Sequence, residues 1–509
     1  MTTSTGPTTR TARVGIIGTG FAGLGMAIRL RQTGHDDFIL LERGDAIGGT
    51  WRDNDYPGCA CDVPSNLYSY SFAPNPGWTT TFAHQPEILA YTNRIVDEHR
   101  LLEKTHLRTF VQDAAWDDAA QRWRVQTSQG EYEFEVLISA TGPLSAPSIP
   151  NLPGLADFDG PVFHSAEWDH SVDLKGKRVA VIGTGASAIQ FVPELQKEVG
   201  ELKLFQRTPP WLLPRPEYKT SRLRRGLFKR LPVLQRLGRT YLYWTHEAYV
   251  IGFTRRPQVM KIPQILAKRH INRSIKDPEL RAKVTPNFTI GCKRILLSSN
   301  YFPALAKPNV EVIAAGVTAV GKHSVIGSNG EEREVDAIVL GTGFHVTDLP
   351  IADHVRGTGG TTLAEAWQGS MQGYRGATVP GFPNFFFVLG PNTGLGHSSM
   401  IYMVEASVQY VVDALRQMDE HGIAQVDVRP ERYRRWNEGI QRRMPKTIWQ
   451  TGGCASWYQD EHGRNTTLWP DFTFRFRALT SRFDMESYTT LPRRTAAEST
   501  PEQGEAAAV

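Results

Sequence analysis

Two short apolar runs, each followed by a turn of small residues, stand out in the pattern of hydrophobic and polar positions. Val14-Gly-Ile-Ile17 leads into Gly18-Thr-Gly-Phe-Ala-Gly23, and Arg178-Val-Ala-Val-Ile182 leads into Gly183-Thr-Gly-Ala-Ser-Ala188. Such a run is typical of a buried strand, and each turn opens a helix-like segment. Each unit of strand, turn and helix therefore predicts a site for the pyrophosphate of a dinucleotide.

The first turn has the spacing expected for FAD. Gly18 permits the tight turn, Gly20 lets the backbone approach the pyrophosphate, and Gly23 lets the helix pack on the strand. The free N–H groups of the helix N-terminus would face the phosphates. The next apolar run, Phe38-Ile-Leu-Leu41, ends in Glu42. A carboxylate there would bind ribose hydroxyls and repel a 2′-phosphate, so the first site is predicted to hold FAD and not NADPH.

The second turn has different chemistry at the corresponding place. Its third position is Ala188, a small residue that still allows helix and strand to pack. The strand predicted over Leu202–Phe205 is followed by Gln206-Arg-Thr-Pro209, which puts Arg207 where an NAD site would carry an acid. A guanidinium can bind a 2′-phosphate through two charge-assisted hydrogen bonds. The second site is therefore predicted to bind NADPH in preference to NADH.

Further apolar runs predict that both nucleotide-binding lobes are discontinuous. Val136–Gly142 closes the first half, Val335–Phe344 is expected to return the chain to the flavin domain, and Phe385–Leu389 precedes a second glycine-rich turn. The expected fold class is α/β, with two Rossmann-like dinucleotide-binding domains and a helical insertion. The expected parts are a disordered tail (1–11), the FAD-binding domain (12–157 and 334–490), a linker motif (158–170), the NADP-binding domain (171–211 and 287–333), the helical insertion (212–286) and a second disordered tail (491–509).

The insertion is rich in basic residues interleaved with Leu, Tyr and Trp at helical spacing. Its first half alone holds Arg222, Arg224, Arg225, Lys229, Arg230, Arg236 and Arg239. We expect a solvated helix face above an apolar one. Contact with a membrane surface or an acidic partner is the second interpretation.

Composition favours a globular enzyme of two or three domains. The 509 residues are 40% hydrophobic and 21% charged with a net charge of +5, which does not imply a nucleic acid partner. No leader or spanning run is present, so a cytoplasmic location is expected. The four cysteines lack zinc spacing and lack the redox CxxC of a thiol–disulfide reductase. We expect all four, Cys59, Cys61, Cys292 and Cys454, to be reduced thiols used for packing.

Three motifs resemble those of the type I Baeyer–Villiger monooxygenases, a branch of the flavin-containing monooxygenases. Residues 158–168 match FxGxxxHxxxW, residues 48–62 match GGxWxxxxYPGxxxD, and residues 291–294 match GxKR. Relatives that oxidise nitrogen or sulfur usually carry Tyr or Phe at the position of Trp168. The sequence of Gly390–His397 differs from that of the best-known oxidisers of cyclic ketones, which leaves the identity of the substrate open.

The resemblance implies specific contacts for each cofactor. The FAD contacts are Gly18, Gly20, Phe21, Ala22, Gly23, Glu42, Gly49, Thr50, Trp51, Asp62, Tyr68, Val111 and Met400. The NADP contacts are Gly183, Thr184, Gly185, Ala186, Ser187, Ala188, Arg207, Thr208, Lys293 and Arg294. No metal is expected. His164 is assigned to the joint between the lobes, and His397 to a cap or packing role as readily as to a base.

The implied reaction inserts one oxygen atom of O2 beside a ketone carbonyl through a C4a-peroxyflavin, giving an ester or a lactone. Arg294 would stabilise the oxygen anions and Asp62 would orient it. An oxygenase acting on nitrogen or sulfur is the first alternative, with a sulfide as substrate, and an NADPH-linked reductase without oxygenation is the second. Trp457, Tyr458 and Trp469 either line the pocket or pack, and the sequence leaves this open.

Overall fold

The computed structural model describes residues 9–493 of the chain. Its strands are β1 (Arg10–Ile17), β2 (Phe38–Leu41), β3 (Thr105–His106), β4 (Val111–Asp117), β5 (Arg122–Thr127), β6 (Gly130–Ser139), β7 (Val162–His164), β8 (Arg178–Ile182), β9 (Glu201–Phe205), β10 (Leu212–Leu213), β11 (Leu296–Leu297), β12 (Val310–Ile313), β13 (Val317–Val320), β14 (Ser324–Gly327), β15 (Glu332–Glu334), β16 (Ala337–Leu340), β17 (Val355–Arg356), β18 (Phe385–Phe387), β19 (Ile423–Val428) and β20 (Tyr488–Pro492). Its α-helices are α1 (Phe21–Gln32), α2 (Thr50–Asp53), α3 (Gln85–Glu98), α4 (Ala188–Leu195), α5 (Arg222–Arg230), α6 (Pro232–Val250), α7 (Lys261–Ser274), α8 (Pro278–Val284), α9 (Tyr301–Leu305), α10 (Leu363–Trp367), α11 (Met400–Glu420), α12 (Pro430–Gln441), α13 (Ile448–Thr451) and α14 (Thr473–Leu479).

The first sheet has a parallel core in the order β18-β6-β1-β2-β3, which β5, β4 and β17 extend on one side. The sequence of β6 explains how one strand serves both parts. Its N-terminal half, with acids at 131, 133 and 135, alternates exposure and pairs antiparallel with β5, whereas Val136–Ser139 is buried throughout and lies in the parallel core. Helices cover both faces of a parallel core, so its strands are apolar on both faces.

The second sheet is entirely parallel, in the order β12-β9-β8-β16-β7. This arrangement corrects two expected boundaries. The run Val335–Phe344 was expected to return to the flavin domain, but its strand β16 pairs with β8 and β7. Likewise β7, from the expected linker, is the edge strand of this sheet. A parallel crossover needs a neighbour with a free edge, and apolar runs do not reveal which sheet offers one.

The predicted tails are shorter than expected, because β1 already starts at Arg10 and β20 ends at Pro492. The predicted tail residues 1–8 and 494–509 lie outside the described residues. The insertion is helical from α5 to α8, as expected, but Leu212–Leu213 at its proposed start pairs as β10 with β11. One continuous buried cluster joins both sheets and includes Ile16, Leu24, Val181 and Val404.

Candidate active site

The first glycine turn brings the end of β1 against the start of α1. Gly18 has φ +102°, and its N–H donates to Leu41 O at 2.8 Å. A Cβ on Gly23 would lie 1.9 Å from Gly18 O, so only glycine allows α1 to approach the strand this closely. Gly20 is the N-cap of α1 and makes no side-chain cap, which leaves the N–H groups of the first turn available for an anion.

Glu42 lies immediately after β2 and is 3% exposed. Its carboxylate accepts hydrogen bonds from the backbone and hydroxyl of Thr19, from Gly44 N at 2.8 Å and from Arg52 Nη1 at 2.8 Å. Burial alone would raise the pKa of Glu42, but the bonds from Thr19 and Arg52 hold it below its usual range. The acid is therefore ionised and fixed beside the glycine turn. Arg52 was not singled out from the sequence, where only its place in the GGxWxxxxYPGxxxD motif pointed to it.

An elongated cavity runs along this turn, with about 1520 Å³ of empty space, part of it open to solvent. Eleven of the thirteen residues expected to contact FAD line it: Gly18, Gly20, Phe21, Ala22, Glu42, Gly49, Thr50, Trp51, Tyr68, Val111 and Met400. Gly20 and Gly49 face each other so closely that a Cβ on Gly49 would lie 2.8 Å from Gly20 Cα. A bare backbone cradle, a buried acid and an aromatic wall fit a flavin dinucleotide.

Trp51 and Tyr68 form that aromatic wall. The indole Nε1 of Trp51 donates to the Tyr68 hydroxyl at 2.9 Å, and the rings meet edge to face with centroids 5.6 Å apart. Met400 opens α11, whose N-cap Ser399 accepts from Ile401 N at 3.3 Å. The positive end of the α11 dipole thus borders the cavity, where it would stabilise negative charge on a bound ring.

The second glycine turn has the same construction at the end of β8. Gly183 has φ +109°, and a Cβ there would lie 2.3 Å from Gly341 O. Thr184 Oγ1 donates to Thr208 O at 3.1 Å, which holds the turn to the segment after β9. Gly185 and Ala186 are exposed, Ser187 is the half-buried N-cap of α4, and Ala188 is its buried first residue. This turn faces solvent, unlike the first one.

Arg207 and Lys293 form a pair of neighbouring cations beside the second turn. Arg207 is exposed, and the ammonium of Lys293 lies 5.4 Å from the centroid of the Phe288 ring. Burial lowers the pKa of Lys293, and the charge of Arg207 lowers it further. No carboxylate of the described residues contributes to that pKa. Two adjacent cations without a carboxylate between them are suited to bind a phosphate.

Asp62 and Arg294 form a bidentate ion pair although 232 positions separate them. Arg294 Nε lies 2.7 Å from one carboxylate oxygen of Asp62, and Nη2 lies 2.8 Å from the other. About a quarter of each side chain is exposed (26% and 25%). The Asp62 charge raises the pKa of Arg294. Burial would raise the pKa of Asp62, but Arg294 holds it low. The charges of both also act on Tyr68, a residue of the flavin cavity, whereas Asp62 itself, like Gly23, does not line that cavity.

The segment that carries Lys293 and Arg294 is bound to the C-terminal part of the chain by a disulfide. Cys292 and Cys454 are joined, with their Cα atoms 6.1 Å apart, and Thr289 N donates to Gly452 O at 2.9 Å. The expectation that both were reduced thiols is wrong, because tertiary packing brings together residues that are 162 positions apart. Cys59 and Cys61 are free and buried, as expected.

The FxGxxxHxxxW segment packs on the second lobe. His164, 2% exposed, ends β7 and accepts from Ala166 N at 3.1 Å, and burial lowers its pKa to about 4. Trp168 packs against Phe163 and Phe191, with ring centroids 5.2 and 5.3 Å apart. These contacts lie within the second lobe and no residue of the motif lines the flavin cavity, so the assignment of His164 to a joint between the lobes stays a prediction.

A second joint was missed by the sequence reasoning. Gln190 of α4 accepts from the Tyr56 hydroxyl at 3.0 Å and from Ala60 N at 3.2 Å, and it donates to Ala60 O at 2.9 Å. The Tyr-Pro-Gly turn of the GGxWxxxxYPGxxxD motif therefore docks on the second lobe. A single glutamine in a helix gives no local signal for such a role.

The structure separates the three aromatic residues that the sequence left open. Trp469 is 2% exposed and stacks on Trp436, so it packs, whereas Trp457 is 45% exposed. Tyr458 is 1% exposed, its hydroxyl has no partner among residues 9–493, and burial raises its pKa to about 12. Tyr458 therefore presents an unpaired hydroxyl close to Arg294. His397 Nε2 lies 3.4 Å from Glu247 Oε1 in a buried contact, which favours its packing role.

The described residues contain neither a metal-binding cluster nor a membrane-spanning helix. No group of three or more His, Cys, Asp or Glu side chains in residues 9–493 is arranged to hold a metal ion. Over the same range, every helix is too short or too polar to cross a bilayer.

Comparison with known proteins places this site in a family. A family profile described as pyridine nucleotide-disulphide oxidoreductase matches residues 15–251. A Baeyer-Villiger monooxygenase of Pseudomonas aeruginosa is 53% identical over 496 residues, covering 96% of this chain and 94% of that protein. One from Streptomyces coelicolor is 53% identical over 480 residues, covering 94% and 92%. A solved complex of OTEMO with FAD and NADP is 25% identical, with a TM-score of 0.85, and the match covers 96% of this chain and 100% of that one.

Identity of this extent along almost the whole length shows common descent, and the similar structure agrees with it. The two-lobe α/β fold class with discontinuous dinucleotide-binding domains is confirmed. The resemblance drawn from the motifs at 48–62, 158–168 and 291–294 is confirmed as well. The chain belongs to the Baeyer–Villiger monooxygenases.

Proposed function

We propose that this chain uses FAD, NADPH and O2 to insert one oxygen atom beside the carbonyl of a ketone. NADPH supplies two electrons, one oxygen atom enters the product ester or lactone, and the other leaves as water. The observation that carries the proposal is the bidentate Asp62–Arg294 pair, whose charges act on Tyr68 of the flavin cavity and whose arginine directly follows Lys293 in the sequence. The relatives and the FAD and NADP complex described above support the two cofactors.

The first site fits FAD through residues that each match one part of the cofactor. The turn Gly18–Gly23 and the N-terminus of α1 would bind the pyrophosphate, Glu42 the ribose hydroxyls, and Trp51 and Tyr68 the ring. Bound FAD would supply the electron transfer and the activation of oxygen. The N-terminus of α11 at Met400 would favour negative charge on the reduced ring.

The second site fits NADPH. Its glycine turn has the geometry of the first, and Arg207 with Lys293 would hold the 2′-phosphate. Because Lys293 and Arg294 are adjacent in sequence, one segment would carry both a phosphate contact and the guanidinium paired with Asp62.

Arg294 is suited to stabilise an oxygen anion. A guanidinium has five N–H donors. Two of them are used by Asp62 and one by Leu395 O at 3.3 Å, which leaves two for the substrate oxygen. Asp62 fixes the plane of the guanidinium, so little reorganisation is needed when charge develops. A fixed donor of this kind contributes about 3–4 kcal/mol to the stabilisation of a transition state.

Arg294→Ala tests this assignment. NADPH should still reduce the bound flavin, seen as loss of its visible absorbance, while formation of ester falls at least about 100-fold. The matched control is Arg178→Ala, which removes another bidentate arginine–carboxylate contact, with Asp336, outside both nucleotide sites.

The assay follows NADPH consumption and product mass together, with a ketone and a thioether as parallel substrates. Product mass is needed because peroxide released without oxygenation also consumes NADPH. Near-normal ester formation by Arg294→Ala would remove Arg294 from this role. A wild-type enzyme that forms only sulfoxide would contradict the ketone assignment.

A further inference from the structure

Helix α6 of the insertion has two faces of opposite character. Its inner face docks on the flavin lobe: Gln235 donates to Asn75 O at 2.7 Å, Arg239 donates to Ser69 O at 2.8 Å, and Tyr243 stacks on Tyr402 at 4.9 Å. These residues are spaced by four and form one stripe. These contacts hold the insertion beside the loop that follows Tyr68, a residue that lines the flavin cavity.

The outer face of α6 carries an apolar stripe that nothing in the described residues covers. Val233, Leu237, Tyr241 and Trp244 follow one another at spacings of four, four and three, and they are 57, 62, 70 and 55% exposed. Positions two residues apart on a helix differ by about 200°, so this stripe points away from the inner one. A row of large apolar side chains on a fixed helix differs from the scattered exposed residues of an ordinary surface.

Neighbouring elements extend the stripe. Helix α5 contacts α6 and presents Leu223, 83% exposed, and Leu227 one turn later. Phe474 of α14 lies 5.9 Å from Trp244, centroid to centroid. We call this surface the outer face: Leu223, Leu227, Val233, Leu237, Tyr241, Trp244 and Phe474.

Basic side chains surround the outer face, and acidic ones are missing from it. From Tyr218 to Lys276 the sequence contains fifteen Lys and Arg and a single acid, Glu247. Glu247 is 1% exposed and faces inward, where it accepts from Thr473 N at 2.9 Å. Arg222, Lys229 and Arg230 on α5 are exposed. The outer face thus combines an apolar stripe with unbalanced positive charge.

We propose that the outer face binds the surface of a bilayer that contains anionic lipids. Large apolar and aromatic side chains beside Lys and Arg are the features of a helix that lies in the headgroup region. A second copy of the chain fits less well, since a symmetric interface would place arginines against arginines. Phosphates of a nucleic acid would match the charge but would leave the Leu and Val side chains in water.

Binding there would place the flavin lobe next to a pool of apolar compounds. The inner face of α6 contacts the 66–69 segment and Tyr402, both close to cavity residues Tyr68 and Met400. A ketone that partitions into lipid would then be concentrated near the entrance. This step rests on the proposed function, whereas the lipid contact itself does not.

The test is co-sedimentation of the FAD-loaded enzyme with vesicles of phosphatidylcholine alone or mixed with phosphatidylglycerol. We expect binding to the mixed vesicles at low salt. Raising the salt to about 1 M shortens the Debye length to about 3 Å and should weaken the binding at least tenfold. The affinity of the variant Arg222→Gln/Lys229→Gln/Arg230→Gln for the mixed vesicles should be about 100-fold lower, because each lost charge lowers it roughly fivefold. The variant Leu237→Ser/Tyr241→Ser/Trp244→Ser should bind the mixed vesicles at least tenfold more weakly, even at low salt.

Two controls remove either three positive charges or two exposed leucines elsewhere on the protein. Lys175→Gln/Lys177→Gln/Arg124→Gln and Leu102→Ser/Leu491→Ser change exposed side chains of the lobes and should bind vesicles as the wild type does. All variants should keep FAD and oxidise NADPH normally, so loss of vesicle binding is separable from loss of the enzyme.

Three results would overturn the proposal. One is no binding to the mixed vesicles at low salt, and another is equal loss in the controls. The third is a dimer in sedimentation velocity that the apolar substitutions dissociate, which would assign the outer face to a second copy.

Discussion

The two nucleotide sites share one backbone plan and differ in enclosure. At the first, Glu42 is 3% exposed and receives hydrogen bonds from Thr19, Gly44 and Arg52. At the second, Arg207 is exposed, and no carboxylate within residues 9–493 offsets its effect in lowering the pKa of Lys293. The first site is rigid and preorganised, and the second is an open surface that carries two cations.

This difference matches two kinds of cofactor use. A buried, fully hydrogen-bonded acid holds a ligand that stays through many turnovers. An open pair of cations attracts a dianionic phosphate, and the bound nucleotide can leave when its charge is screened by water and salt. We therefore expect FAD to behave as a resident group and NADPH as an exchanging substrate. The following predictions test that contrast, from the largest expected effect to the smallest.

Glu42→Gln should weaken the retention of FAD about ten- to hundredfold. The NH₂ group of the amide would face N–H and O–H donors that bind the Glu42 carboxylate, so some of these hydrogen bonds would be lost. The flavin-to-protein ratio after gel filtration measures this. Glu334→Gln, an exposed acid that pairs with Arg178, is the control and should keep its FAD. If Glu42→Gln retained FAD fully, the preorganised acid would not be what encloses the first site.

Arg207→Ala should raise the KM for NADPH about tenfold through loss of charge-assisted bonds to the 2′-phosphate, and leave the KM for NADH nearly unchanged. The KM of Arg207→Lys for NADPH should lie between those of the wild type and Arg207→Ala, because lysine keeps the charge but cannot form two parallel hydrogen bonds. An unchanged preference between the two nucleotides would defeat the assignment of this site.

Lys293 should make NADPH binding sensitive to alkaline pH. Its pKa is lowered by burial and by Arg207, so as pH rises the ammonium loses its proton below the ordinary lysine pKa of 10.5. The KM for NADPH should then rise by up to about fivefold, the contribution of one partly exposed charge. Lys293→Arg stays charged and should flatten the profile, and Lys307→Arg is the control. A profile that Lys293→Arg leaves unchanged would mean that another group causes the rise.

Cys454→Ser should lower the Tm of the enzyme by a few degrees, because the disulfide restricts a long loop in the unfolded chain. Both nucleotide sites should still fill, with the ratio of product formed to NADPH consumed reduced at most slightly. Mass spectrometry after alkylation of the denatured protein, with and without reductant, detects the disulfide, because its cysteines gain the mass of the alkyl group only after reduction. Two free thiols at Cys292 and Cys454 in the purified enzyme would contradict the disulfide.

The local parts of both sites could be predicted from the sequence because short-range constraints fix them. The turns at 18–23 and 183–188 follow their strands directly, and Glu42 and Arg207 follow the next strands, so backbone geometry alone brings each to its site. Relatives 53% identical agree with the family that the motifs indicated. The individual residue roles stay predictions until the variants above are measured.

Long-range features were predicted less well. Apolar runs identified β16 but not its sheet, and four cysteines in the sequence do not reveal that Cys292 faces Cys454. The docking of Gln190 on the Tyr-Pro-Gly turn had no local signal at all. In each case the partner is chosen by packing between segments that are far apart along the chain.

The sequence by itself determined two dinucleotide sites and the sign of the charge at each, since these depend on a few consecutive residues and their backbone geometry. Tertiary structure decided that Asp62 holds Arg294 across 232 positions and that residues 9–493 leave one face of α6 uncovered. Such choices depend on which surfaces meet when the lobes and the insertion pack. That information is spread over the whole chain, so no single motif contains it.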